Sequence, residues 1–275
     1  MTYRAKTNSI LLTILMVLST TLILPSDEVE AAEVVITDAV RVVEGGPMNE
    51  RMVSMAADSE GNIHFVWSRN TQHLYYTMLD PRADIDGDGQ ADPLIDVTQI
   101  SNPGTHRAWH PDIAIDSMDR VHVTWTDKSS QHAIKYTVLD PKLAPRDGSQ
   151  ADDTVISVVN DMIVSQRQQN RDWPAIAIDS QDNAHIVWED SFDPLEKFYF
   201  QPQIYYSMIE FDGTVATTAI DDSMLTPIIG HKGHPDVAVD ADDYVQVVWD
   251  DTRGGKVEMV VPIDASGSMY SEWAD

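Results

Sequence analysis

The stretch HPDIAIDSMDRVHVTW, residues 110–125, decides the fold because the chain repeats it. Apolar and polar residues alternate in the runs IAI and VHVTW, and the polar segment DSMDR separates them. Alternation with a period of two predicts β-strands, and Asp and Ser favour the turn that would join them. Related stretches occupy residues 52–67, 173–188 and 234–249, so the sequence predicts four similar hairpins.

Each predicted hairpin is followed by further β-rich runs. Third-strand runs occupy residues 74–79, 134–139, 204–209 and 257–262, and runs between the units occupy 34–43, 95–100, 153–159 and 215–220. A period of roughly sixty residues with four short strands per unit predicts an all-β protein, a β-propeller of about four four-stranded blades. Two arrangements stay open: the run at 34–43 closes a four-bladed ring by pairing with the last third strand, or the blades belong to a larger ring.

The third unit carries a family resemblance. IAIDSQDNAHIVW (176–188), followed by IYYSM (204–208), resembles the sialidase-like, or BNR-like, propeller repeats, and the resemblance extends over about 33–263. It implies the propeller fold. Sialidases also need an arginine cluster, a Tyr nucleophile with a Glu partner, and an acid/base Asp, and no such set can be assigned in this sequence. The family's Asp box is only partly present, so the resemblance does not imply an activity.

Two residue types recur at fixed positions of the hairpins. The turns place Gly61, Asp119, Asp182 and Asp243 at matched positions, where a positive φ is expected. Histidine recurs on the second strand at positions 64, 122 and 185, with Gln246 in the fourth unit. Because blades would hold these histidines far apart, we predict a structural role for them rather than a metal site. The repeated tryptophans at 67, 125, 188 and 249 are predicted to fill the space between blades.

The N-terminus has the pattern of a secretory signal peptide. Arg4 and Lys6 precede an apolar run from Ile10 to Leu24, and small residues lie near Ala31. This pattern predicts a signal peptide over residues 1–31 and blades over 32–263, and the run is short for a membrane-spanning helix. We therefore expect a secreted or extracellular protein with no membrane span in the mature chain.

Composition excludes several classes of partner. The formal net charge is -27 and there is no cysteine. Such a chain repels nucleic acid and forms no disulfide or thiolate metal site. We expect no nucleic-acid partner. The acidity favours divalent cations, basic partners or adaptation to salt.

The segment DIDGDGQAD, residues 84–92, predicts a calcium site. Alternate acidic residues match positions 1, 3, 5 and 9 of an EF-hand-like loop, with a glycine at position 6 and a backbone carbonyl at position 7. The predicted ligands are Asp84, Asp86, Asp88, Gln90 and Asp92. Ile95 stands where the bidentate Glu belongs, which predicts weak to moderate affinity. The alternative is a solvated loop between blades.

The segment DASGSM, residues 264–269, leaves two interpretations open. It resembles the first metal-binding segment of a von Willebrand factor type A domain, which implies Mg²⁺ at Asp264, Ser266 and Ser268 if a complete domain follows. Alternatively, Asp264 ends a third strand, as Asp80 and Asp140 do. Residues 264–275 are thus either the last turn of the propeller or the truncated start of a type A domain.

Basic and aromatic residues gather where the first strand of each unit begins. A first strand lines the channel of a propeller, so these residues are predicted to rim one mouth and bind an anionic or sugar ligand. The candidates are Arg107, His110, Arg171, Trp173, Lys232 and His234.

Together these features predict a secreted, non-catalytic β-propeller that serves as a recognition or adhesion module, with calcium as its cofactor and an extracellular glycan or protein as its ligand. The alternatives are a sialidase-like glycoside hydrolase and a scaffold for a C-terminal type A adhesion domain.

Overall fold

A computed structural model describes residues 42, 49–84, 87, 91–102, 107–129, 132–144, 155–165, 171–191, 201–226, 230–251 and, for the backbone alone, 256–264. These residues belong to one compact unit, Arg41–Asp275. The predicted signal peptide and residues 265–275 lie outside the described residues.

The described strands form four antiparallel sheets in which consecutive strands are neighbours. Sheet 1 contains β1 (Glu50–Ala57), β2 (Ile63–Arg69), β3 (His73–Leu79) and β4 (Pro93–Gln99). Sheet 2 contains β5 (Ala108–Ile115), β6 (Val121–Asp127), β7 (Ala133–Asp140) and β8 (Ile156–Ile163). Sheet 3 contains β9 (Arg171–Ile178), β10 (Ala184–Asp190), β11 (Gln203–Phe211) and β12 (Ala216–Met224). Sheet 4 contains β13 (Lys232–Val239), β14 (Tyr244–Asp251) and β15 (Lys256–Asp264).

The all-β prediction is confirmed, and the repeated sheets are consistent with a β-propeller. β1 packs beside β5, β5 beside β9, and β9 beside β13, so the first strands of successive sheets are neighbours. In the part of the chain that the structure describes, sheet 4 has three strands rather than four. No helix among the described residues is long and apolar enough to cross a bilayer.

The turns of the four hairpins have the predicted backbone. The matched residues Gly61, Asp119, Asp182 and Asp243 have φ values of 85°, 63°, 65° and 62°. In sheet 2, the Asp116 carboxylate accepts the backbone N–H groups of Met118 and Arg120, which closes the turn. The side chain of Asp therefore holds the turn, as its sequence pattern predicts.

The hydrophobic core lies between successive sheets. Trp125 packs with residues of sheet 1 that include Val66 and Tyr76, and Trp188 packs with Ile134 and Tyr136 of sheet 2. Trp249 occupies the same position between sheets 3 and 4. These three tryptophans are at most 4% exposed, so they fill the space between sheets as predicted.

The repeated histidines are buried in the fold. His122 Nδ1 lies 2.6 Å from the Tyr136 hydroxyl, and its Nε2 lies 3.0 Å from Asp116 Oδ2. His64 and His185 make the same pair of contacts within their own sheets. Because both ring nitrogens are engaged with partners of the same sheet, the arrangement agrees with the structural role that the repeat predicts.

Candidate active site

Each first strand is interrupted at the same point. The residues are Met52, His110, Trp173 and His234, whose φ values are 55°, 48°, 51° and 45°. The pairing of the first with the second strand shifts register at each of them. Such a bulge re-aims a side chain, and positive φ at a non-glycine residue is uncommon outside strained or functional positions.

The interrupted strands bring three rings together. The rings of His110 and Trp173 stack at a centroid distance of 3.7 Å, and His234 meets Trp173 edge-on at 4.6 Å. We call His110, Trp173 and His234 the aromatic row. Trp173 is 39% exposed. The row is therefore reachable from solvent and joins sheets 2, 3 and 4.

Asp172 contacts the aromatic row through His110, and its carboxyl group is ionised. Its carboxylate is 2.6 Å from His110 Nδ1, pairs with Lys128 Nζ and accepts the Thr126 hydroxyl at 3.3 Å. Burial opposes ionisation of this group, but the hydrogen bonds from His110 and Lys128 outweigh burial and lower the pKa of Asp172. Asp172 is thus an ionised carboxylate in a half-buried position.

Glu189 is opposite Asp172 in the pairing of β9 with β10. Burial raises the pKa of Glu189, and the negative charge of Asp172 raises it further. The backbone N–H of His234 donates to Glu189 Oε2 at 3.4 Å and offsets only part of this effect. Two neighbouring carboxyl groups therefore have pKa values displaced in opposite directions.

A third carboxyl group links the first strands. Asp112 accepts the Ser54 hydroxyl at 2.9 Å and the Ile176 backbone N–H at 3.0 Å, so it joins sheets 1, 2 and 3. Burial raises the pKa of Asp112, and the charge of Asp236 adds to the shift. Asp112 contacts the backbone of the next sheet, and this contact gives it a structural role.

His234 adds a protonatable group on the side of sheet 4. Its Nδ1 lies 2.8 Å from Asp250 Oδ2, and this hydrogen bond raises the pKa of His234. The side chains of both residues are more than half exposed. His234 therefore takes up a proton more readily than an ordinary histidine, and solvent screens its pairing with Asp250.

The six predicted ligand-binding residues separate into two groups. His110, Trp173 and His234 come together, and Arg107 is exposed next to β5, where its carbonyl accepts the Lys128 N–H. Arg171 and Lys232 instead have fully buried side chains that pair with Asp190 at 3.1 Å and Asp251 at 3.0 Å. The predicted place of these two residues at an exposed mouth is corrected, because each is opposite an aspartate across its strand pair.

Sequence reasoning missed Lys128, Asp172 and Glu189. The repeat contains a signal for the glutamate: the residue after each repeated tryptophan is Ser68, Thr126, Glu189 or Asp250, so a carboxylate replaces a hydroxyl only in the last two units. Asp172 stands where the other units have Arg51, Trp109 and Gly233. The two carboxylates that depart from the repeat, Asp172 and Glu189, both lie next to residues of the aromatic row.

The predicted metal ligands lie largely outside the described residues. Asp86, Asp88 and Gln90 of the calcium loop are outside them, as are Ser266 and Ser268. Asp84 accepts the Gly87 N–H at 2.7 Å, and the Asp92 N–H donates to Ala83 at 2.8 Å. The backbone of Asp264 ends β15, opposite Tyr244. Among the residues that the structure describes, no three or more His, Asp or Glu residues gather as a metal site.

Sequence comparison does not assign the chain to a family. No protein-family model matches it, and no curated protein is similar to it in sequence.

Several solved structures are similar to this chain over about three quarters of its length. An α-L-arabinofuranosidase of Fusarium graminearum is 11% identical, with a TM-score of 0.47, over 76% of this chain and 60% of that enzyme. An α-L-arabinanase of Penicillium chrysogenum is 8% identical, with a TM-score of 0.46, over 76% of this chain and 61% of that enzyme. An endo-arabinase of Bacteroides thetaiotaomicron is 12% identical, with a TM-score of 0.44, over 76% and 73% of the two chains. The chain thus spans less than two thirds of the first two enzymes.

These comparisons correct the functional prediction. The structures named above are an arabinofuranosidase and two arabinanases rather than recognition or adhesion modules, so the prediction of a non-catalytic module is withdrawn. At such low identity the likeness concerns the fold, and the chemistry has to be argued from the residues of this chain.

Proposed function

We propose that this chain is a β-propeller glycoside hydrolase that acts on an extracellular glycan, with Glu189 as general acid and Asp172 as its ionised partner. The observation that carries the proposal is the opposed pair itself: burial raises the pKa of Glu189, while His110 and Lys128 lower that of Asp172. Two carboxyl groups whose environments displace their pKa values in opposite directions are the requirement for acid-assisted glycoside cleavage.

The two roles follow from the directions in which the two pKa values are displaced. Protonated Glu189 donates its proton to the oxygen of the scissile bond, so that the leaving sugar departs neutral. Ionised Asp172 stabilises the positive charge that develops on the remaining sugar ring and accepts it as a covalent ester. Water then cleaves that ester, and Glu189 takes up the proton of the water.

The strand pairing favours this covalent course. Opposed residues of an antiparallel pair have Cβ atoms about 4.5–5.5 Å apart, so the carboxyl groups of Asp172 and Glu189 can approach to the short separation that retaining enzymes use. We therefore expect the first product to keep the anomeric configuration of the substrate, a result that proton NMR of the fresh product reports directly.

The charges of the site favour a neutral sugar. Asp172, Glu189 and Asp250 are carboxyl groups, whereas the side chains of Lys128 and His110 are already paired with Asp172. A sialoside or uronate would bring a further negative charge to this surface. The aromatic row offers the apolar edges that sugar rings contact.

The test is the release of reducing ends by the purified full chain from neutral polysaccharides. Arabinan is the first substrate, and a sialoside serves as the anionic comparison. We expect turnover of a neutral glycan that Glu189→Gln lowers by at least about a thousandfold, since both proton donation and its later reversal are lost. Glu210→Gln is the matched control, because Glu210 is exposed on β11. Turnover that survives Glu189→Gln, or none on any glycan, would overturn the assignment.

A further inference from the structure

The three junctions between successive sheets share one contact. A serine after the first strand donates its backbone N–H and its hydroxyl to the turn aspartate of the next sheet. The pairs are Ser59 with Asp119, Ser117 with Asp182, and Ser180 with Asp243, all at 2.6–2.9 Å. We call this contact the serine–aspartate latch.

The first strand of sheet 1 exposes a face that is buried in every other sheet. Met55 is 65% exposed, whereas the matched Ile113, Ile176 and Val237 are 5–8% exposed. Val53 is 67% exposed, whereas the matched prolines at 111, 174 and 235 are buried. In sheets 2, 3 and 4 this apolar face lies against the preceding sheet, whereas none of the four described sheets covers the same face of sheet 1.

Sheet 4 exposes the opposite kind of face. Asp240 is exposed, whereas the matched Asp116 and Asp179 are each 5% exposed. Asp236 is also exposed, whereas the matched Asp112 accepts a backbone N–H from the next sheet. Sheet 4 therefore presents the acidic side of a junction, and sheet 1 presents the apolar side.

We propose that a second copy of this chain covers both faces, sheet 4 of each copy packing against sheet 1 of the other. At every junction inside the chain, the apolar face of one first strand packs against the acidic face of the preceding sheet. The exposed apolar face of sheet 1 and the exposed acidic face of sheet 4 are therefore complementary. In the matched geometry, the Asp236 carboxylate accepts the N–H of Met55, as Asp112 accepts that of Ile176. Two copies joined in this way have eight sheets, which is within the range of closed propellers. The inference does not depend on the proposed catalytic role.

The junction between copies is weaker than those within the chain. The latch positions that would meet there are Gly61, which has no carboxylate, and Ala241, which has no hydroxyl. A Cβ added at Gly61 has only Arg82 Nη2 within 4 Å, at 4.0 Å, so an aspartate fits there. Its φ of 85° resembles that of the matched aspartates, a conformation that Asp tolerates. Substitution of Gly61 by Asp and of Ala241 by Ser can therefore create the serine–aspartate latch at this junction.

The first experiment measures the mass of the purified full chain by light scattering across a dilution series. We expect twice the mass of one chain at high concentration and dissociation on dilution. Met55→Asp places a charge in the apolar face and is expected to leave single chains. Met118→Asp, at a methionine that is 57% exposed on a turn of sheet 2, is the matched control and keeps the dimer.

Val53→Asp, with Val215→Asp as its control, provides a second pair of variants if Met55→Asp does not fold. Single chains at every concentration, or a dimer that both Met55→Asp and Val53→Asp leave intact, would overturn the proposal.

The second experiment adds the latch and identifies the copy that supplies it. Gly61→Asp with Ala241→Ser is expected to lower the dimer Kd about tenfold or more, since each of two junctions gains hydrogen bonds to a carboxylate. In a separate variant, Gly61→Cys with Ala241→Cys, a short thiol cross-linker has only these two targets, because the natural chain has no cysteine. Cross-linked pairs of chains support the proposal. A cross-link within single chains would mean that one chain closes on itself, and the proposal would fail.

Discussion

The two ends of the repeated hairpin use histidine and aspartate in opposite ways. At the turn end, His122 is fully buried between Asp116 and Tyr136, and sheets 1 and 3 repeat this arrangement. At the bulge end, His110, Trp173 and His234 differ from sheet to sheet and reach solvent. The contacts of the turn end recur with the same residue types in three of the four sheets, whereas the bulge positions carry Met, His or Trp. The difference separates the groups that stabilise the fold from the groups that are available for chemistry.

The largest stability effect is expected at the turn end. His122→Ala leaves the buried Asp116 carboxylate and the Tyr136 hydroxyl each without one hydrogen bond, which costs about 3 kcal/mol of unfolding free energy. His234→Ala removes a pair whose side chains are more than half exposed and is expected to cost less than about 1 kcal/mol. Urea unfolding measures both.

A milder substitution serves as the control for this contrast. Sheet 4 has Gln246 at the histidine position, where its amide lies 3.4 Å from Asp240. His122→Gln is therefore expected to lose less stability than His122→Ala. If His234→Ala destabilised the chain as much as His122→Ala, the two ends could not be separated in this way.

Acid is expected to act through the same turn end. Burial opposes ionisation of Asp116 and Asp179, but hydrogen bonds led by His122 and His185 hold both pKa values at about 2, against an ordinary 3.8. Because the folded pKa values are depressed, each carboxylate stabilises the fold by about 2 kcal/mol above pH 4, and this contribution is lost as the pH falls through 2. The midpoint of urea unfolding should fall steeply in that window. Asp116→Asn should flatten the slope, and an unchanged slope would contradict the role of Asp116.

At the bulge end, pH is expected to change activity rather than stability. Activity requires ionised Asp172 and protonated Glu189, so kcat/KM falls at low pH as Asp172 is protonated and at high pH as Glu189 is deprotonated. Lys128→Met removes a cation from Asp172 and should raise its pKa, which moves the acidic limb to higher pH. Lys142→Met is the control, since Lys142 pairs with Asp119 at the turn end. An acidic limb that stays in place in Lys128→Met would separate Asp172 from catalysis.

The same contrast explains what the sequence could predict. Alternating residues and matched aspartates predict the hairpins, their turns and the structural histidines, because these contacts lie within one unit or recur in each. Arg171 and Lys232 were misplaced because their partners, Asp190 and Asp251, become neighbours only through the register of the first two strands. Asp172 and Glu189 escaped notice because they occur once, and a repeat draws attention to what recurs.

The smallest expected effect is that of calcium on the loop at 84–92. Ile95, at the position of the twelfth ligand, is fully buried in the core and offers no oxygen, so binding relies on the remaining carboxylates. We propose a site of weak to moderate affinity, for which millimolar calcium stabilises the fold by about 1 kcal/mol. Thermal melting with and without calcium measures this effect, and Asp86→Ala should abolish it. Asp152→Ala, in the related loop of the next unit, is the control and should leave it unchanged. A calcium response that Asp86→Ala does not alter would place the ion elsewhere, and no response in the natural chain would make the segment a solvated loop.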